Sequence, residues 1–420
     1  MAEQVLKGIR VVELGTHMAV PNCAHELGEM GAEVIKVEKP KGENYRYAMG
    51  MLFQLPNKPQ GDMCYEPQNV NKKHVAIDIK KPEGVQALMD LLATADVFLT
   101  NTREAALAKS GIGFADLRKK FPKLVIGNVN GYGTEGPRAE YPGYDASSFW
   151  AESGVFQEWT FQGDKHMFKP FYGWGDNICA GQLTIGVLGA LLRRANTGEG
   201  DVVRVSLLGT GIWQNVTGFM RYQAGHKFPK DFYEPIVPLD QFYKTKDGKW
   251  FLTSEEHWDL RCQAYFKLFN TPELADDPEW TTMRGYISNI PEKSKWFEEH
   301  ISQVTSEEIE EALRPVDAVF CFITETDEVF DNEDAWANGY FQKHPMANGQ
   351  EVVIPSIPIR YDSEGKFDHD YSTPVPLVGG DTDEVFGEIY GAEKVAQLVE
   401  AGALIDKDAT YETMKAKAAK

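Results

Sequence analysis

Arg10-Val11-Val12-Glu13-Leu14 and Val34-Ile35-Lys36-Val37 are two short β-branched runs, and the apolar spacing of an amphipathic helix lies between them over residues 24–30. The alternation continues outward from this pair. Strands are expected over 75–79, 97–100 and 124–129, with helices over 84–93 and 114–119 between them. Strands that alternate with helices pair in parallel through right-handed crossovers. The pattern therefore predicts an α/β, Rossmann-like sheet.

Further along, a helix starts near residue 176 and ends at the turn Asn196-Thr197-Gly198-Glu199-Gly200, followed by a strand over 201–208 and a helix over 212–222. The Pro- and Gly-containing stretch 224–238 reads as a linker. Beyond it, Asp247-Gly248 sits between alternating apolar residues in 241–253, the signal of a β-hairpin. Helices follow over 260–269 and 295–302. A chain of 420 residues exceeds one ordinary core. The expected organisation is a large Rossmann-like domain built from 1–223 and 335–420, with linkers and a smaller α+β domain over 224–334.

Hydrophobic content of 42% and charged content of 25% fit a soluble globular chain. No apolar stretch is expected to span a membrane, because the helix beyond residue 176 runs into Arg193-Arg194. The start Met1-Ala2-Glu3-Gln4-Val5-Leu6-Lys7 lacks the basic and apolar regions of a signal peptide, so a cytoplasmic protein is expected. With 43 basic and 63 acidic residues the net charge is -20, which repels nucleic acid and anionic membranes; neither is expected as a partner. Cys23, Cys64, Cys179, Cys262 and Cys321 form no CxxC pair or metal-like spacing. They are expected to be reduced thiols, and no metal site is expected.

The run with most chemistry in it is Gly173-Trp174-Gly175-Asp176-Asn177-Ile178-Cys179-Ala180-Gly181-Gln182. A lone carboxylate sits between glycines at the mouth of a long apolar helix. Glycine lets the backbone approach a ligand closely, and the unpaired N–H groups and positive dipole end of the helix would keep Asp176 ionised. Two local roles follow: a nucleophile, or a helix cap.

Leu6-Lys7-Gly8-Ile9-Arg10-Val11-Val12-Glu13-Leu14, Gly31-Ala32-Glu33-Val34-Ile35-Lys36-Val37-Glu38-Lys39-Pro40, Asn71-Lys72-Lys73 and Ala95-Asp96-Val97-Phe98-Leu99-Thr100-Asn101 occur in that order. Gly131-Tyr132-Gly133-Thr134-Glu135-Gly136-Pro137 and Val375-Pro376-Leu377-Val378-Gly379-Gly380-Asp381-Thr382-Asp383-Glu384-Val385 follow. Together with the Gly-Asp pair ahead of the helix, the series resembles the class III CoA-transferases, the group containing formyl-CoA transferase and carnitine CoA-transferase.

The resemblance implies that Asp176 is the covalent nucleophile, passing through an aspartyl mixed anhydride and an aspartyl-CoA thioester. It implies coenzyme A or acyl-CoA as substrate, a free carboxylic acid as the second substrate, no tightly bound cofactor, and an interlocked homodimer. By the same resemblance His17, Met18, Ala19, Lys39, Asn71, Lys73, Asn101 and Lys109 contact CoA. Lys36, Lys39, Lys41, Arg46, Lys72, Lys73 and Lys109 would supply a local cationic patch. Two departures stand out: Ala19-Val20-Pro21-Asn22 replaces the family's usual Ala-Gly-Pro, and 225–237 lacks the glycine run of formyl-CoA transferase.

The related α-methylacyl-CoA racemases need a second acid/base group, a histidine in a Gly-His-Asp element; here that element is Gly143-Tyr144-Asp145. A nicotinamide site is disfavoured because Gly15-Thr16-His17-Met18-Ala19-Val20 has one glycine where three are needed. A noncatalytic CoA-binding protein is the remaining alternative. The aromatics before the nucleophile (Phe149, Trp150, Phe156, Trp159, Phe161, Phe168, Phe171, Tyr172, Trp174) favour a bulky acyl group. The resemblance is thus closest to the transferases of 2-hydroxy and aryl acids, such as 2-hydroxyisocaproate and phenyllactate.

Overall fold

The computed structural model describes residues 4–47, 63–167, 170–253, 255–347, 349–362 and 371–406. Phe168 lies outside the described residues. The chain divides into two compact units, Met1–Val155 with Pro170–Val216 and Glu333–Lys420, and Phe156–Lys169 with Thr217–Asn332.

In the first unit β1 (Arg10–Leu14) leads through α1 (Ala19–Glu29) to β2 (Glu33–Glu38) and β3 (Lys72–Ile77). Then come α2 (Pro82–Leu92), β4 (Val97–Thr100), the short helices α3 (Glu104–Lys109) and α4 (Phe114–Lys120), β5 (Val125–Asn130), α5 (Trp174–Thr197) and β6 (Val202–Ser206). All six strands run parallel in the order β3-β2-β1-β4-β5-β6, which is the order of doubly wound nucleotide-binding sheets. Val12 lies opposite Ile35 on one side and Phe98 on the other, and all three are buried. Both faces of β1 are covered, as Val11 is buried too.

The strand expected over 201–208 stops at Ser206, whose Oγ accepts the Gly209 N–H at 3.0 Å and starts α6 (Leu207–Gln214). The single helix expected over 212–222 is broken at Asn215, after which α7 (Val216–Gln223) begins. Helix α5 is continuous for 24 residues, through Arg193 and Arg194, and stops where Gly198 turns left-handed (φ 77). By length and composition alone it could cross a bilayer, which corrects the expectation that no segment could. In this fold it packs on α1 and β5.

The second unit contains the expected hairpin, β7 (Tyr243–Lys244) and β8 (Trp250–Thr253), antiparallel with Tyr243 opposite Phe251. Around it stand α8 (Trp258–Leu268), α9 (Ile290–Ile301) and α10 (Ser306–Leu313), and β9 (Phe320–Phe322) pairs with β8. Trp258 stacks on Tyr286 with centroids 4.5 Å apart in its core. The segment Phe156–Lys169, expected in the large domain, clusters here instead. Its Phe161 bridges to Lys230 and rings with Phe232 at 5.6 Å, pairings across some seventy residues that no local pattern announces.

On its return to the first unit the chain forms β10 (Phe341–Pro345) and β11 (Glu351–Pro355), then α11 (Thr382–Tyr390), α12 (Ala392–Glu400) and β12 (Leu404–Ile405). Strand β12 adds antiparallel to β3, so the sheet is built from both ends of the chain.

Charged side chains fill one side of the sheet interior. Lys36 Nζ lies 2.6 Å from Glu13 and 2.9 Å from Glu43, Lys72 Nζ lies 2.7 Å from Glu13, and Arg46 lies 2.6 Å from Glu38. All of these groups are buried. Burial pulls the Lys72 ammonium down to about 8 despite Glu13. His74, pushed down to about 4 mainly by burial, stays neutral against Glu38. These contacts correct the expected cationic patch: Lys36, Arg46 and Lys72 are neutralised internally and offer no charge to a ligand.

Candidate functional site

In an open parallel sheet ligands bind beyond the carboxyl ends of the strands, where the strand order reverses. Here that point lies between β1 and β4. A cavity of 510 Å³ opens there, bounded by Thr16, His17 and Ala19 after β1, Asn101 and Arg103 after β4, and Asn128–Gly131 around the end of β5; Tyr144 and Asp176 also face it.

Asp176 reaches the cavity because the start of α5 is built around it. Gly173, the first cap residue, has φ 96, a conformation suited to glycine. A Cβ on Gly175 would come within 2.3 Å of Phe149 and 2.6 Å of Asp145 Oδ1, so only glycine fits there. That close approach lets Asp145 Oδ1 accept the Gly175 N–H at 2.7 Å and the Asp176 N–H at 3.2 Å. The cap is therefore Asp145, delivered from thirty residues upstream, and Asp176 does not cap its own helix.

The electrostatics differ from the expectation drawn from the helix start. Burial, and then the neighbouring Asp145 charge, push the Asp176 carboxyl up to about 7. The first-turn N–H groups that would have favoured the anion are bonded to Asp145, and its charge stands beside them. For the same reason the Gly175 N–H cannot serve as an oxyanion donor. Asp176 differs from the other acids facing the cavity: Glu104 is paired with Arg204 at 2.7 Å, while Glu135 and Glu140 are exposed. Cys179, one turn on, is buried and its thiol is pushed up to about 12, chiefly by burial, which makes it inert.

Of the residues expected to contact CoA, His17, Ala19 and Asn101 line this cavity. Met18 lies against Gly173, where a Cβ would come within 2.3 Å of its sulfur. Asn101 spends its amide on backbone, accepting from Thr16 N at 3.1 Å and donating to Thr16 O at 2.8 Å. Lys39, Asn71, Lys73 and Lys109 do not line the cavity. Lys39 is bonded to Asn44, Asn71 occupies a left-handed turn (φ 59), Lys73 pairs with Glu33 and Glu384 at 2.9 Å each, and Lys109 is exposed at the end of α3. Among the described residues no three metal-ligating side chains cluster.

The aromatic run before Asp176 does not wall the cavity as expected. Phe149 and Trp150 are buried core, Phe171, Tyr172 and Trp174 are exposed, and Phe156, Trp159 and Phe161 belong to the second unit. The rings that face the cavity are those of His17, Tyr141 and Tyr144. Asp145, Arg103 and Arg204 were not foreseen as site residues. The signal for Asn128 and Asn130 was their polarity towards the carboxyl end of β5, and for Arg204 its charge within the valine-rich β6.

The raised Asp176 pKa has a consequence for stability. The folded state holds this proton between the usual 3.8 and about 7, where the unfolded chain has lost it, so Asp176 lowers stability as pH rises through that window. Asp176→Asn is expected to be more stable than the native protein at pH 8, by on the order of 2 kcal/mol, and nearly equal to it at pH 4. Urea midpoints at the two pH values check this; equal differences at both would show that Asp176 is not perturbed.

The profile of CoA-transferase family III matches residues 6–382. The (R)-2-hydroxy-4-methylpentanoate CoA-transferase of Clostridioides difficile is 33% identical over 392 residues, 93% of this chain and 97% of that protein. Cinnamoyl-CoA:phenyllactate CoA-transferase of Clostridium sporogenes is 28% identical over 403 residues, 94% and 96% of the two chains. The crystal structure of Rv3272 from Mycobacterium tuberculosis superposes with a TM-score of 0.75 at 26% identity, covering 90% of this chain and 98% of that one. A family match over residues 6–382 decides the class: the chain belongs to CoA-transferase family III and is a CoA-transferase.

Proposed function

We propose that this CoA-transferase moves CoA from an acyl-CoA to a medium-sized 2-hydroxy or arylalkanoic acid, with Asp176 as the covalent nucleophile. The observation that carries the mechanism is the half-buried Asp176 carboxyl at the cavity, pushed up to about 7. A poorly solvated carboxylate is more basic and gives up less hydration on attack, and at neutral pH a substantial fraction is ionised.

In this reading the Asp176 carboxylate attacks the thioester carbonyl, forming a mixed anhydride and releasing CoA thiolate. The thiolate attacks the aspartyl carbonyl, giving the aspartyl-CoA thioester and the free donor acid. The acceptor carboxylate then attacks that thioester, and CoA thiolate takes the acceptor acyl group from the new anhydride, restoring Asp176. His17, Met18, Ala19 and Asn101 would border the CoA chain, with Arg103 and Arg204 the nearby cations for its phosphates. Arg103 is exposed on the rim and Arg204 is held by Glu104. We read the protein as cytoplasmic, where CoA thioesters are made and used.

Support for the acceptor class comes from the names of the two relatives, both transferases of 2-hydroxy acids. Support for a homodimer comes from the first unit's surface. Ile185 and Leu192 on α5 and Trp213 on α6 are each more than 60% exposed, a cost in water that a partner subunit would relieve. Sedimentation at dimer mass, and no subunit exchange between tagged and untagged native protein, is the expected behaviour of an interlocked pair.

Asp176→Ala should fold and lose transfer by roughly three orders of magnitude or more. Hydroxylamine or borohydride added after acyl-CoA should modify the peptide carrying Asp176 in the native enzyme alone; near-normal turnover of the variant would end the mechanism. For the acceptor, a panel of free acids competing for one donor should yield mainly 2-hydroxyacyl- or arylalkanoyl-CoA by mass spectrometry. Preference for oxalate, formate or carnitine would overturn the substrate class and leave the enzyme class standing.

A further inference from the structure

The loop between β1 and α1 has four consecutive backbone polar groups held by side chains from other segments. Gly15 O accepts from Lys36 Nζ at 3.3 Å, Thr16 N and O are both bonded by the Asn101 amide, and His17 N donates to Glu43 Oε2 at 2.8 Å. The other Glu43 oxygen takes Lys36 at 2.9 Å. The loop needs this hold because His17 sits at φ 63, a left-handed conformation that a residue with a Cβ adopts only when its surroundings impose it. There its ring packs between Tyr45, 5.7 Å away, and Tyr144, 6.0 Å away, and so becomes part of the cavity wall.

The Asn101 clamp has a second effect. It bridges from the end of β4 to the end of β1, across the crevice that doubly wound sheets commonly offer to a nucleotide. The cavity spans this point and extends over the ends of β5 and β6 to where Asp176 stands.

We propose that Asn101 and Glu43 are positioning residues for the acyl-CoA substrate: they fix Thr16 and His17 so that the His17 ring, with its backbone already strained, is presented to bound CoA. The inference rests on the reading that this cavity takes a CoA thioester. Glu43 does not line the cavity, and Asn101, which does, spends both ends of its amide on Thr16. Both act through His17, and their effects should therefore disappear when His17 is gone.

The test is a double-mutant cycle on free coenzyme A binding, measured by calorimetry on the full-length enzyme, with melting curves as the control for folding. Asn101→Ala should weaken CoA about tenfold, the weight of one or two hydrogen bonds, and Glu43→Gln, whose amide oxygen can still accept the His17 N–H, should weaken it less. Asn101→Asp, which retains an acceptor for Thr16 N, should fall between. His17→Gly, which tolerates the left-handed backbone and removes the ring, should weaken CoA comparably, and adding Asn101→Ala to it should change affinity less than about twofold. Should Asn101→Ala not fold, Asn101→Asp carries the same cycle. Folded single variants that bind CoA like the native enzyme, or effects that multiply in the double variant, would overturn the proposal. Failure of the native enzyme itself to bind CoA would instead reject the reading of the cavity.

Discussion

The ammonium of Lys36 is fully buried in the sheet, and the structure around the site depends on the two carboxylates that compensate it. Taking a charge out of water costs several kcal/mol, and removing one partner of such a pair costs about 3–5 kcal/mol because the other is left uncompensated. Glu13 on β1 and Glu43 beyond β2 therefore cannot drift away from Lys36 on β2. Glu13 also holds Lys72 on β3, so three adjacent strands share one charge network. Since Glu43 also receives the His17 N–H, the constraint passes from the sheet interior to the cavity rim. The rigidity of the rim is thus a consequence of interior electrostatics, not of loop packing alone.

A second constraint acts at the other wall. A helix N-terminus favours a nearby carboxylate by roughly 0.3–1 kcal/mol at the surface and up to about 2 kcal/mol when partly buried. At α5 that benefit goes to Asp145, which is bonded to two of the first-turn N–H groups. Asp176 is left with the burial and with the repulsion of Asp145, and these outweigh the helix field, as its upward shift records. Gly175 is what makes this exchange of roles possible, since any side chain there would occupy the place of Asp145.

The sheet was legible because its strands are short, β-branched and separated by amphipathic helices, and local periodicity carries that information. Strand order could be inferred only as a class. The site was legible at Asp176, where glycines flank one carboxylate, and at the β1 loop. What stayed hidden has a common cause. Lys36, Arg46 and Lys72 look like ligand-binding cations in one dimension, and only register brings Glu13, Glu38 and Glu43 onto them. Asp145 stood in the Gly143-Tyr144-Asp145 element, but its bond to a helix start thirty residues away follows no local rule. The same holds for Phe156–Lys169, whose partners lie beyond residue 217.

The net charge of -20 poses a problem that the site itself helps to resolve. CoA and the acceptor acid are both anions, and they must approach two adjacent carboxylates. Burial and Asp145 raise the Asp176 pKa to about 7, so under the proposed mechanism part of the enzyme population would present a neutral group to the incoming thioester, and loss of that proton would supply the nucleophile. Under the proposed mechanism the acceptor meets even less opposition. By the time it arrives Asp176 is an acyl group without charge, and the thioester it carries is the electrophile that the acceptor carboxylate attacks. Covalent capture would then serve electrostatics as well as chemistry, because it removes from the cavity the charge most opposed to the second substrate. Asp145 stays beside Asp176 as a fixed anion, its charge partly met by the N–H groups of α5.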